Sequence, residues 1–266
     1  MLQTTLLKHW RVWKMTALNA LQETFINRAT NVLFFLGKSY RFAMMIVFLL
    51  LLRDNINGIG NYTADQMIVF FITYQIVDVV MQVFFRGVYE FGGLVRSGMF
   101  DGYLTRPINP LFSVLTGTPD FNDAVFLVPT TLVSIYLIAQ ADLSITLAGV
   151  IWYLLLLLNS FVVGTALHIM IISFTLLTTD VDNVVWMYRD LSRIGQFPIS
   201  IHFEVIKFIL FFMVPIGFMF TVPAQVLLGA PLSHSIVLTV TFTVGFFWLS
   251  LQFWKWSLKR YSSASS

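Results

Sequence analysis

The feature that most constrains this chain is a series of long apolar segments, each able to cross a membrane as a helix. Such a crossing needs about 20 mostly apolar residues. Pro129 interrupts the third segment, which a span tolerates where neighbouring groups satisfy the freed carbonyl. Hydrophobic residues make up 58% of the chain and charged residues 11%, whereas soluble domains carry about a quarter charged residues. We therefore predict an all-α integral membrane protein with six transmembrane helices, near residues 35–52, 66–85, 121–139, 145–175, 204–222 and 236–254.

The basic residues set the predicted orientation, because Lys and Arg are concentrated in cytoplasmic loops. With both termini in the cytoplasm, only Arg53 of the sixteen Lys and Arg residues falls on the outer side, which leaves fifteen inside. The outer loops near residues 140–144 and 223–235 carry none. We predict a multi-pass protein of the bacterial plasma membrane with both termini cytoplasmic.

The segment before the first span is predicted to be an amphipathic helix over residues 1–33. Apolar side chains recur there at helical spacing, at Leu6, Trp10, Trp13, Ala17 and Leu21. Tryptophans on one face with Lys and Arg beside them suit a helix lying in the membrane interface. The alternative is a cytosolic helix packed on a partner subunit. The whole chain is predicted to be one membrane domain, with spans over 35–254 and a cytoplasmic tail over 255–266.

The longest inner loop, residues 86–110, mixes charges, glycines and aromatic side chains. Its first part, 86–97, favours a short helix along the membrane. The closing Arg106-Pro107 and Asn109-Pro110 pairs predict an extended turn, because a residue before Pro avoids the α region. Such a loop is either a docking surface for a cytosolic partner or a plain basic connector.

Residues 97–112, SGMFDGYLTRPINPLF, resemble the signature G-x-x-D-x-x-L-x-(R/K)-P-x-N-P-L of the ABC-2 type permeases. Residues 196–199 (QFPI) and the VPIGFM, VPA and LLG runs between 214 and 229 are also typical of that family. The resemblance covers essentially the whole chain. It implies an exporter of two permeases, identical or similar, and two ATPase subunits, with a cytoplasmic coupling helix in the 86–110 loop.

The resemblance also implies that ATP and Mg are bound by the partner ATPase, with no cofactor in this chain. Gly37-Lys38-Ser39 echoes a phosphate-binding loop, but Val32 stands where that motif needs glycine. We therefore expect this chain not to be an enzyme itself. Candidates for docking the ATPase or bracing the loop are Glu90, Arg96, Asp101 and Arg106.

Polar side chains inside the spans are candidates for the transport pathway or a subunit interface. Gln75, Asp78 and Gln82 share one helical face of the second span. A charge inside a span costs roughly 2.5–3.5 kcal/mol on insertion scales, so Asp78 should not face lipid. We expect it to face a subunit contact, a basic residue such as Lys38 or Arg41, or the substrate route.

Asn159 and His168 in the fourth span pose the same choice between a pathway role and interhelical hydrogen bonding. A lone histidine without nearby ligands does not make a metal site. Cysteine is absent, which removes disulfides and thiolate ligands. There is no basic tract, so nucleic-acid binding has little support.

The segment 215–231 is apolar but interrupted by prolines and glycines, so it cannot form one long helix. We predict a break or a short re-entrant piece at the outer face, the alternative being a kinked fifth span.

These features favour the permease subunit of an ATP-driven exporter that works by alternating access. One alternative is a secondary transporter driven by an ion gradient, which would want paired ionisable residues near the midplane and internal repeats. An intramembrane enzyme would want convergent acid, base or metal groups, and none is evident.

Overall fold

The computed structural model describes residues 2–55, 58–178 and 182–262, with the backbone alone for 2–6, 182–183 and 232–235. The side chain of Leu6, expected on the apolar face of the first helix, lies outside these described parts. All regular secondary structure in those ranges is helical, apart from an isolated β-bridge between Ile59 and Tyr62.

Twelve α-helices follow one another along the described chain: α1 Leu2–Ile26, α2 Arg28–Asn55, α3 Ala64–Phe85, α4 Gly87–Arg96, α5 Asp101–Leu104, α6 Pro110–Thr116, α7 Phe121–Gln140, α8 Leu147–Thr175, α9 Asp182–Ser192, α10 Glu204–Phe208, α11 Val222–Leu227 and α12 Leu232–Arg260. Short 3-10 helices cover Arg193–Gln196 and Ile199–Ile201, and π-helical turns cover Ile209–Met213 and Gly217–Thr221.

Five helical stretches of the described chain are long and apolar enough to cross a membrane: α2, α3 continued by α4 (Ala64–Arg96), α7, α8 and α12 from Ile236. They coincide with the predicted first, second, third, fourth and sixth spans. Local sequence signals start them: Thr63 and Gln66 form a reciprocal capping box at α3, and the Asp120 carboxylate accepts from the amides of Asn122 and Asp123 at α7. These caps satisfy amides that have no partner within the helix.

The helices connect at two ends of the bundle. Residues 59–63 and 141–146 belong to the short-loop end, and residues 86–120 form the opposite, long-loop end. α1 lies at the long-loop end, where Lys8 Nζ donates to the carbonyl of Pro107. α12 finishes there too, since the Trp254 ring lies 6.4 Å from the Phe100 ring. The first and last helices therefore share one end.

α3 is the centre of the bundle and α2 is its periphery. In the apolar window of α3, 67% of residues are buried inside the protein, against 6% in α2. α8 approaches α3 closely because Gly164 has no side chain; a methyl group there would overlap Met81. In lipid there is no hydrophobic driving force that brings helices together, so they gain packing energy by close approach at small residues.

The predicted fifth span at 204–222 is wrong, although the predicted break in this region is present. Glu204–Met213 and Gly217–Leu227 meet at a bend of 84°. Ile201, three residues before this pair, lies against Gly60 at the short-loop end. Leu227, the last residue of the pair, lies against Gly149 near the start of α8, at the same end. Both ends of the pair therefore lie at the short-loop end. The pair is re-entrant and does not cross.

Residues 182–201 make the remaining connection between the two ends. Near its start, the Trp186 ring packs 5.9 Å from that of Tyr89 at the long-loop end. Near its finish, Ser200 Oγ donates to the Tyr62 hydroxyl at 3.0 Å, at the short-loop end. Hydropathy hides this crossing because it carries Arg189, Asp190 and Arg193.

Three basic residues therefore lie elsewhere than the sequence predicts. Arg189 and Arg193, expected in an inner loop, lie on the crossing segment and line a cavity. Lys207 was expected on the inner side. It lies in α10, six residues after Ile201, which is at the short-loop end, so it belongs toward that end.

Candidate functional site

A cavity of about 440 Å³ lies among α2, α3, the start of α7 and the residues around the end of α9. Its walls combine apolar and amide side chains with six charged residues, which are Lys38, Arg41, Asp78, Asp123, Arg189 and Arg193. Asp123 lies in the first turn of α7. Asp78 precedes the last residue of α3 by seven positions, or about 10 Å at 1.5 Å per residue. The cavity is therefore nearer the long-loop end.

Asp78 and Arg189 form an ion pair inside this cavity. An Arg189 Nη1–H donates to the Asp78 carboxylate at 3.3 Å, and both side chains are 12% exposed. From the sequence, Asp78 was expected to face a subunit contact, a basic residue such as Lys38 or Arg41, or the substrate route; the structure places it against another basic residue, Arg189. Lys38 instead pairs with Asp123, whose side chain is 1% exposed. Each carboxylate of the cavity thus has its own cation.

Tyr89 of α4 connects this cavity to the long-loop end. Its hydroxyl accepts a hydrogen bond from Gln82 Nε2 at 3.0 Å. The Arg189 guanidinium lies 5.9 Å from the centroid of the same ring. Tyr89 therefore joins α4 to one residue of the Asp78–Arg189 pair.

The signature residues fold the loop between α4 and α7. Gly98 adopts φ +72°, which ends α4 in a left-handed turn that other residues adopt at a cost. Asn109 caps α6 by accepting from the Leu111 amide at 2.9 Å, and Pro110 occupies the first helical position, where its missing N–H costs nothing. The glycine and Asn-Pro positions of the signature thus correspond to the end of α4, at Gly98, and the start of α6, at Asn109 and Pro110.

The loop is anchored to the end of α12. The Phe100 side chain is fully buried, with its ring 5.0 Å from Phe91 and 5.3 Å from Tyr261. The Tyr261 hydroxyl donates to the Asp101 carboxylate at 3.0 Å. Burial, together with the neighbouring Asp101 carboxylate, raises the pKa of the Tyr261 phenol, which keeps this donor protonated.

The other loop candidates are exposed. Glu90, Arg96 and Arg106 all present their side chains at the long-loop end. The Arg106 guanidinium lies 4.6 Å from the centroid of the Tyr103 ring, a cation–π contact that orients it. The four candidates are therefore one partly buried brace, Asp101, and three exposed charges.

A family model described as ABC-2 family transporter protein matches residues 40–265. This chain belongs to the ABC-2 family. No curated protein matches it, and no solved structure does. The ABC-2 match runs from within α2 to beyond α12 and so takes in the long loop, the re-entrant pair and every cavity residue except Lys38. Membership and the apolar helices together make this a multi-pass membrane protein with a permease role.

Within this ABC-2 protein, the polar residues of the spans divide into two groups. Gln75 and Gln82 line the cavity beside Asp78, as their shared helical face predicts. His168 and Asn159 do not line it. His168 is fully buried, with Nδ1 2.7 Å from the Gly164 carbonyl and its ring against Phe85 and Tyr188. Among the described residues, no group of three or more acidic or histidine side chains could hold a metal ion.

Arg189, which lines the cavity, and Tyr89, which contacts Gln82 and Arg189, were not predicted from the sequence of this ABC-2 protein. Arg189 was assigned to a loop, and nothing in its neighbourhood marks it as buried. Tyr89 could have been found, since it follows Gln82 by seven residues. α3 and α4 are separated by Arg86 alone, so this spacing places both side chains on one face.

Proposed function

We propose that this ABC-2 protein is the membrane permease subunit of an ATP-driven exporter, powered by a separate ATPase subunit that holds ATP and Mg. The match to the family over residues 40–265 carries the proposal. In this assignment α1 and the end of α12 face the cytoplasm of a bacterial cell. A second permease, identical or similar, completes the membrane part.

The charges of the described chain support this orientation. All sixteen Lys and Arg residues lie in the described part, and only Arg53 and Lys207 lie toward the short-loop end. The positive-inside rule then places the long-loop end in the cytoplasm. α1 would lie along the membrane, with Trp10 exposed and stacked 5.1 Å from Trp13.

The ATPase would dock on the 86–110 loop, with α4 as the coupling helix. To shift a two-state equilibrium from 1:99 to 99:1, ATP must favour one state by about 5.5 kcal/mol. Transmitting that free energy requires a rigid contact. The buried rings of Phe91, Phe100 and Trp254 provide a fixed base, and the exposed Glu90 and Arg106 provide the contact surface.

Movement of α4 would then alter the cavity through Tyr89. The Tyr89 side chain contacts both Gln82 of α3 and Arg189 of the crossing segment. In alternating access, this contact would change the packing of residues 182–201 against α3 and so change which end of the cavity is open.

A gate at the short-loop end would complete the cycle. The Tyr62 hydroxyl accepts from Gln225 Nε2 at 2.9 Å and lies 3.0 Å from Ser200 Oγ. These bonds tie the α2–α3 connection to the re-entrant pair and to the crossing segment. Release of cargo on the outer side would require them to break.

Purification of the tagged chain from its native membranes tests the assignment. We expect an ABC ATPase subunit to co-purify and the complex to hydrolyse ATP, whereas the chain alone does not. Transport that continues without the ATPase, and that follows an imposed ion gradient, would instead support a secondary transporter.

A further inference from the structure

The charges that line the cavity do not balance. Four cationic side chains and two carboxylates face it. Asp78 is paired with Arg189, and Asp123 with Lys38. Arg41 has no acidic partner among the described residues. Arg193 pairs with Asp190, whose side chain is 70% exposed and lies outside the cavity wall. The cavity therefore presents two cations in excess of its own carboxylates.

The two excess cations lie beside a buried pair but are themselves accessible. Arg41 is exposed and the Arg193 side chain is 47% exposed, whereas the side chains of Asp78 and Arg189 are each 12% exposed. An anion that enters beside the buried pair leaves bulk water, where Coulombic attraction is weakest, so it gains more from Arg41 and Arg193 there than it would in solution. The cavity therefore favours anions over cations.

One wall of the same cavity is apolar and reaches the outer surface of the described chain. Met44 and Phe48 of α2 line the cavity, yet they are 49% and 46% exposed. Behind them the ring of Phe42 packs 5.8 Å from Phe71 and 5.9 Å from Phe126. Because α2 is the least buried span, an apolar chain can follow this wall from the charged part of the cavity into the surrounding lipid.

We propose that this cavity binds an anionic amphiphile, with its phosphate, sulfate or carboxylate group at Arg41 and Arg193 and its apolar chain along Met44 and Phe48. The proximity of the cavity to the long-loop end places the entry at the cytoplasmic leaflet. That anionic amphiphiles are the exported substrate class rests on the proposed function; their binding to the chain does not.

The test is binding of radiolabelled dodecyl phosphate to the purified full chain in nanodiscs of zwitterionic lipid, without ATP or ATPase. Dodecyl phosphate should bind at least tenfold more tightly than dodecyltrimethylammonium. Arg41→Gln should weaken its binding about tenfold, which corresponds to about 1.4 kcal/mol. Arg41→Lys should keep most of the affinity, and the matched control Lys259→Gln, at an exposed cation of α12, should change nothing.

Inorganic phosphate separates the two sources of an anionic group. It should compete only at concentrations more than a hundredfold higher than dodecyl phosphate. Equal competition would overturn the amphiphile and leave a site for free anions. Equal or tighter binding of dodecyltrimethylammonium, or no difference between Arg41→Gln and Lys259→Gln, would overturn the site itself.

These outcomes are independent of the proposed function. Selective binding by a chain that recruits no ATPase would retain the site and reject the exporter. ATP-dependent transport by a chain that shows no preference for dodecyl phosphate would retain the exporter and reject this substrate class.

Discussion

The Asp78 carboxylate of α3 lies 3.3 Å from the guanidinium of Arg189, a residue 111 positions further along the chain. This pair fixes the segment 182–201 beside the central helix. It also places a compensated charge where an uncompensated one would be unfavourable. The position of the crossing segment and the character of the cavity both depend on it.

Removing one member of this pair should destabilise the protein strongly. Asp78→Ala leaves Arg189 largely buried without its partner, which costs about 3–5 kcal/mol for a buried pair. Thermal unfolding in detergent should show this loss. The double variant Asp78→Leu with Arg189→Met should recover most of it, and Asp54→Ala, at an exposed carboxylate, serves as control. Equal stability of Asp78→Ala and the control would contradict the burial of the pair.

Tyr89→Phe should separate docking from coupling. The change removes the hydroxyl that accepts from Gln82 but keeps the ring beside Arg189. A neutral hydrogen bond contributes about 1 kcal/mol, so transport per ATP hydrolysed should fall about fivefold while ATPase binding stays unchanged. Tyr136→Phe, at an exposed position in α7, is the matched control. An unchanged transport-to-hydrolysis ratio would remove Tyr89 from the coupling route.

Reversing the loop charges should abolish coupled transport. In Asp101→Lys with Arg106→Glu, the carboxylate that accepts from Tyr261 is lost and the Arg106 charge of the docking surface is reversed. We expect the protein to reach the membrane in normal amount but to lose ATPase-coupled transport. The matched control reverses Glu204 and Lys207, whose ion pair of 2.7 Å lies in the re-entrant pair. Normal transport by the loop variant would make the coupling assignment wrong.

The position of Lys207 toward the short-loop end can be tested by cysteine labelling, because the natural chain contains no cysteine. An impermeant maleimide added outside intact cells should label Lys207→Cys. Arg106→Cys at the long-loop end should be labelled only after permeabilisation. Protection of Lys207→Cys until the cells are opened would restore a fifth span at 204–222.

Much of the architecture follows from the sequence because burial in lipid leaves a strong compositional signal. The apolar helices α2, α3, α7, α8 and α12 carry it. The break near Pro215 is equally visible, because proline cannot continue the hydrogen-bond ladder of a helix.

The fifth crossing could not be predicted in the same way. Residues 182–201 carry Arg189, Asp190 and Arg193, and a crossing with these charges reads as a loop until Asp78 is known to face it. The apolar stretch after Glu204 then takes its place in any hydropathy reading, although it is re-entrant. The long-range Asp78–Arg189 ion pair, not composition, shows that residues 182–201 cross the bundle and that the stretch after Glu204 does not.

The candidate site shows the same division. Asp78 with Gln75 and Gln82 could be assigned to one face from spacing alone, and a charge on that face had to avoid lipid. Its partner could not be chosen among Lys38, Arg41 and Arg189, because helix register and loop path determine which cation arrives. The structure separates Lys38, which pairs with Asp123, from Arg189, which pairs with Asp78.

The central claim is that ATP acting at the long-loop end opens the short-loop end. Tyr62→Cys with Gln225→Cys replaces two long side chains whose polar tips lie 2.9 Å apart by two thiols that a bifunctional maleimide of matching length can join. In the complex with its ATPase, cross-linking should be efficient without nucleotide and should fall several-fold when ATP is trapped on the ATPase. Cross-linking that is equally efficient with and without trapped ATP would contradict the account.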